Sequence, residues 1–123
     1  MSHFTKLSSA EPNPDLDRVE DVSPDEVNAK KDQLCLVDVR SPDEYVGPLG
    51  HIEGSILIEL NELPHSLEKL PRQRTIVFIC RSGRRSANAT AIAKDKGFES
   101  AFNMKGGMLL WNEMGLEIKT KGA

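Results

Sequence analysis

The sequence predicts an α/β domain built on a central, mainly parallel sheet with helices on its faces. Two observations carry this reading. Apolar runs of strand length alternate with helical segments along the chain, the order a parallel sheet needs because its strands are joined by crossovers. The runs LCLVDV (34–39) and TIVFI (75–79) are also continuously apolar rather than alternating, as in strands covered on both faces.

Residues 1–18 contain SSAEPNPDLD, polar, proline-bearing and without a period, and read as a flexible acidic N-terminal tail. Seven acids against two bases give residues 1–27 a net charge of −5 and leave +2 for the remainder. Order is expected from Val19 and a domain from 19 to 119. Ser23 can cap a helix, Pro24 suits its first position and Glu26 completes a capping box, so a helix is predicted to about Lys31. LCLVDV is the first buried strand. A short helix around Ser41–Tyr45 leads into the turn-rich GPLGHIEG, and SILI (55–58) is a short strand. A short helix over 63–70 is closed by Pro71. TIVFI is the strongest strand, rich in β-branched residues. Residues 86–96 form an alanine-rich helix, with Lys94 and Lys96 at its C-terminal end and Gly97 as its cap. Phe98 is expected to fold back on the last turn. SAFNM (100–104) is a final strand, GGMLLWNEMG (106–115) a last helix, and 120–123 a C-terminal tail.

A chain of 123 residues, 38% apolar and 28% charged, can build one core without disulfide or metal staples. No apolar stretch approaches the ~18 residues of a membrane span. The N-terminus lacks a basic start followed by an apolar block, so a cytoplasmic protein is expected. The two cysteines make no CxxC pair and the three histidines no zinc spacing. Neither a metal nor a cofactor is expected. Bases outside 81–85 are scattered, which argues against nucleic acid as a partner.

The exception to that scatter is FICRSGRRSANAT (78–90). Cys80 ends a buried strand, where ligands of parallel sheets bind. If residues 81–86 curl around it, backbone N–H groups converge on the sulfur and the following helix adds its positive end. Gly83 supplies a positive φ. Arg81, Arg84 and Arg85 add full charges, though not all three need point inward. Each contribution favours a thiolate, a nucleophile at neutral pH. Cys35, inside LCLVDV, reads as a packing residue near the opposite end of the sheet.

Three ordered segments resemble one family. CRSGRRS (80–86) resembles the active-site loop of single-domain rhodaneses, which are sulfurtransferases. LVDVRSPDEYVGPLGHIEG (36–54) and GFESAFNMKGGMLLWNEMGLEI (97–118) resemble the family's DVR…GHI and closing GG…W segments. The resemblance implies a central, mainly parallel five-stranded sheet flanked by helices. It implies that Cys80 takes a sulfane sulfur from an anionic donor such as thiosulfate and passes it, through a persulfide, to cyanide or a thiol. A sulfur-relay protein is a further candidate partner. Arg81, Ser82, Gly83, Arg84, Arg85 and Ser86 would cradle the sulfur and attract the donor, while Asp38 and Arg40 would support the loop. The resemblance makes His51 structural, while Trp111, Phe98, Met104 and Met108 read as core residues from their apolar side chains.

Two other functions fit parts of this pattern. The rival on the same fold is a dual-specificity phosphatase or an arsenate reductase. Phosphatases of this fold carry Cys-(x)5-Arg, whereas Arg85 here is the fifth residue after Cys80, a narrower loop suited to one sulfur atom. A non-catalytic binding module would typically lack the cysteine.

Overall fold

The computed structural model describes residues 4–121. The ends of the two expected tails, 1–3 and 122–123, lie outside the described residues. The sheet has six strands in the order β1-β2-β6-β5-β3-β4, one more than expected. β2 (Glu20–Val22), β3 (Cys35–Asp38), β4 (Ile56–Leu57), β5 (Ile76–Ile79) and β6 (Ala101–Met104) are parallel. Among the strands of the described residues, only β1 (Glu11–Pro12) runs antiparallel, on β2.

Helices cover both faces. β3 and β5 therefore read as unbroken apolar runs whose alternate residues enter different cores. Val37, Ile76, Phe78 and Cys80 pack under α3 (Leu63–Ser66) and α4 (Arg84–Asp95) with Leu63, Ala89, Ala93 and Phe98. Leu36, Val77 and Ile79 face the other way, toward α1 (Pro24–Lys30) and α5 (Gly107–Glu113), with Val27, Met104, Met108 and Trp111. Cys35 is buried at the start of β3, paired with Ile76, so it lies at the opposite end of the sheet from Cys80. Burial pushes its thiol up, against the pull of Arg74.

The segment expected as a flexible tail carries structure within its described part. Leu7 is buried in the α1/α5 core. The Ser8 and Ser9 amides both donate to the Glu26 carboxylate at 2.8 Å. This also alters the expected capping box of α1. The Ser23 hydroxyl accepts from the Glu26 amide, but the Glu26 carboxylate turns outward to the N-terminal segment and Lys30. The Ser9 hydroxyl takes its place as acceptor for the Ser23 amide, at 3.0 Å. Burial pushes the Glu26 carboxyl up, yet the Lys30, Ser9 and Ser8 donors outweigh it and hold the group down at about 2.

α2 (Pro42–Tyr45) does carry a full capping box, between Ser41 and Glu44. α4 begins two residues before the expected start, because Gly83 itself occupies the N-cap at φ 97°. Only glycine takes that backbone readily, so the loop from the sulfur to the helix is short.

Candidate active site

The buried strand β5 ends at Ile79 and delivers Cys80, 1% exposed, to the carboxyl edge of the sheet between β3 and β6. The chain then reverses over three residues into α4. The Gly83 amide donates to Cys80 Sγ at 3.0 Å, and Ser86 Oγ lies 3.2 Å from the same sulfur. The first intrahelical bond of α4 runs from the Ala87 amide to the Gly83 carbonyl. The amides of Arg84, Arg85 and Ser86 thus form the open N-terminal turn beside the sulfur. Backbone donors, a hydroxyl and a helix dipole all converge on one thiol.

The loop is held from behind by α5. The Met108 amide donates to the Cys80 carbonyl at 2.8 Å and the Leu109 amide to the Arg81 carbonyl at 3.0 Å. Gly107, at φ +57°, makes this approach possible: a Cβ there would lie 2.5 Å from the Cys80 and Arg81 carbonyl oxygens. The double glycine of NMKGG thus does more than turn the chain.

The three arginines are not equivalent. Arg81 and Arg84 are exposed at the loop rim. Arg85 instead makes two bonds to the Glu44 carboxylate on α2, at 2.8 and 2.7 Å. That pairing holds the Glu44 carboxyl down at about 2 and pushes the Arg85 guanidinium up. Ser82 is exposed, while Gly83 and Ser86 are buried. Glu44 is a site neighbour that the sequence analysis did not single out.

Asp38 and Arg40 sit one strand over. Both are buried, and the Arg40 guanidinium meets the Asp38 carboxylate with two bonds of 2.9 and 2.8 Å. Arg40 also donates to the carbonyls of Glu44 and Gly50. The pair therefore holds the α2 backbone at Glu44, the residue whose carboxylate binds Arg85. His51 is buried, stacked on Tyr45 with ring centroids 3.7 Å apart, and its Nδ1 meets the Tyr45 carbonyl at 2.8 Å.

A cleft of about 970 Å³ opens beside the loop. Ser82, Gly83 and Arg84 form one wall, Asn13 to Leu16 another, and Asp21, Asn103 and Lys105 lie between them. The N-terminal segment thus borders the approach to the site. Among the described residues no group of His, Cys, Asp or Glu side chains is placed to hold a metal ion, and no helix is long and apolar enough to cross a membrane.

A family model described as Rhodanese-like domain matches residues 23–114. The chain is 42% identical over 81 residues to the probable adenylyltransferase/sulfurtransferase MoeZ of Mycobacterium tuberculosis, covering 64% of this chain and 20% of that protein. It thus spans about a fifth of that relative's length. It is 32% identical over 90 residues to a sulfurtransferase of Allochromatium vinosum, covering 73% of this chain and 82% of that one. A crystal structure of a rhodanese-related protein from Thermoplasma volcanium has a TM-score of 0.76 at 27% identity, covering 82% of this chain and 98% of that one.

Proposed function

On the premise that the chain belongs to the rhodanese-like domain family, we propose that it is a sulfurtransferase working through a persulfide on Cys80. The observation that carries this is the placement of Sγ, with the Gly83 amide at 3.0 Å and the Ser86 hydroxyl at 3.2 Å, at the head of α4. The Gly83 amide and the open N-terminal turn of α4 stabilise negative charge on the sulfur.

With thiosulfate as donor, the Cys80 thiolate attacks the outer, sulfane sulfur. A new S–S bond forms, the donor's S–S bond breaks, and sulfite leaves with the electron pair. The persulfide keeps its negative charge on the outer sulfur, within reach of the loop amides. An acceptor nucleophile, cyanide or a thiolate, then attacks that outer sulfur and Sγ leaves as thiolate. Neither half-reaction needs an external oxidant or reductant. Cys35, buried at the far end of the sheet, takes no part. A protein thiolate of a sulfur relay has the chemistry of an acceptor, and a reducing compartment such as the cytoplasm keeps both thiols free.

The assay is thiocyanate formation from thiosulfate and cyanide. Cys80→Ser is expected to lower kcat/KM by about a thousandfold or more, as loss of a nucleophile does. Equal activity of the two proteins would end the proposal. A wild type inactive with every donor would favour a binding module.

The rim arginines give a second expectation. Arg81→Ala and Arg84→Ala should each raise KM for the thiosulfate dianion about twofold to fivefold at low salt, fading as salt screens the charge. Arg85 is already neutralised by Glu44, so Arg85→Ala should show a weaker dependence on salt. Steering by the rim is contradicted if neither exposed arginine alters KM.

A further inference from the structure

A hydrogen-bond chain reaches the sulfur from the side of the sheet. Ser86 Oγ lies 2.5 Å from Asn103 Oδ1 on β6 and 3.2 Å from Cys80 Sγ. Asn103 Nδ2 donates to Asp21 Oδ1 at 2.9 Å, across the β2–β6 pairing that sets Asp21 opposite Asn103. Asn13, from the N-terminal segment, donates to the same oxygen at 2.9 Å. Ser86, Asn103 and Asp21 are all buried.

Donor and acceptor counting orients this chain. An ionised carboxylate only accepts, so the Asn103 NH2 must face Asp21 and its carbonyl must face Ser86. Ser86 has one hydroxyl hydrogen, and the 2.5 Å contact assigns it to Asn103. In the Cys80 thiol, S–H donates to Ser86 Oγ and every group is satisfied. In the thiolate, Sγ and Asn103 compete for one hydrogen. In the persulfide, the charge has moved to the outer sulfur, Sγ needs no donor, and the competition ends.

We propose that Asn103 is a positioning residue that retains the Ser86 hydrogen and so withholds it from the Cys80 thiolate, favouring the sulfur-loaded protein. This rests on the sulfur-transfer reading above. Asp21 acts one step further back, by fixing which way the Asn103 amide points. The N-terminal segment joins the same chain through Asn13, so the wall of the cleft and the sulfur are physically connected.

The test equilibrates the protein with thiosulfate and sulfite at a fixed ratio and reads persulfide against thiol on Cys80 by intact mass. Asn103→Leu removes the competing acceptor at similar volume and frees the Ser86 hydrogen for the thiolate. The persulfide-to-thiol ratio should fall about tenfold, the worth of one hydrogen bond to a charged group. Asn103→Val, whose β-branched side chain suits β6, should repeat the fall if the leucine is poorly accommodated. In a Ser86→Ala background, either substitution should change the ratio less than about twofold, because no hydroxyl hydrogen is left to release. The same fall with and without the hydroxyl, or no fall in either background, overturns the role of Asn103. A wild type that takes up no sulfur instead ends the sulfur-transfer reading, and the positioning role with it.

Discussion

Arg40→Ala is expected to lower the thermal unfolding midpoint by on the order of 10–20 °C. Arg40 is buried and binds both oxygens of the buried Asp38, and it also satisfies the Glu44 and Gly50 carbonyls. Truncation leaves a buried carboxylate and two carbonyls short of donors. Breaking one side of a buried pair costs about 3–5 kcal/mol, and each kcal/mol shifts the midpoint by several degrees in a domain of this size. Activity should fall with stability, because the same guanidinium fixes the α2 backbone that carries Glu44. Arg40→Lys keeps the charge but not the fork, and should fall between the two. Differential scanning calorimetry checks the series. A shift under about 3 °C for Arg40→Ala would show that the pair is not the anchor described here.

Gly107→Ala is expected to damage the site itself. The added Cβ would meet the Cys80 and Arg81 carbonyl oxygens at 2.5 Å, and φ +57° is strained for alanine. The α5 amides that hold those carbonyls must withdraw, and the loop around Sγ moves with them. A displacement of about 1 Å in a reacting geometry lowers rate by about a hundredfold, so kcat/KM for sulfur transfer should drop by roughly tenfold to a hundredfold. Gly54→Ala is the control. It has φ +87° but nothing within 4 Å of the added Cβ, so it should lose about 1 kcal/mol of stability and keep its activity. Equal loss of activity in both variants would assign the effect to backbone strain alone.

The parts of this account that were legible in the sequence are those governed by local order. Cys80, Gly83 and Ser86 lie within seven consecutive residues, and an apolar strand followed by a glycine-bearing turn and a helix start dictates how they meet. β3 and β5 announced themselves because burial on both faces demands unbroken apolar runs. Asp21 and Asn103 stand 82 positions apart. They meet only through the register of β2 on β6, which no local pattern encodes. The bond from Arg85 to Glu44 was not legible either, because its partners stand 41 positions apart on different helices. The N-terminal segment is polar and aperiodic, the marks of a chain that cannot build a core alone. It packs nonetheless, because one leucine enters the core and one carboxylate, Glu26, gathers its serines. Short-range rules did not anticipate contacts whose partners lie on other elements.

The central claim is that sulfur is carried on Cys80. The direct measurement is the intact mass of the purified, reduced protein after brief exposure to thiosulfate, followed by peptide mapping. Wild type should gain the mass of one sulfur atom, on the peptide containing Cys80 and not on that containing Cys35. Cyanide should remove it, and Cys80→Ser should never acquire it. A wild type without the added mass, or Cys80→Ser with as much of it, would contradict the account.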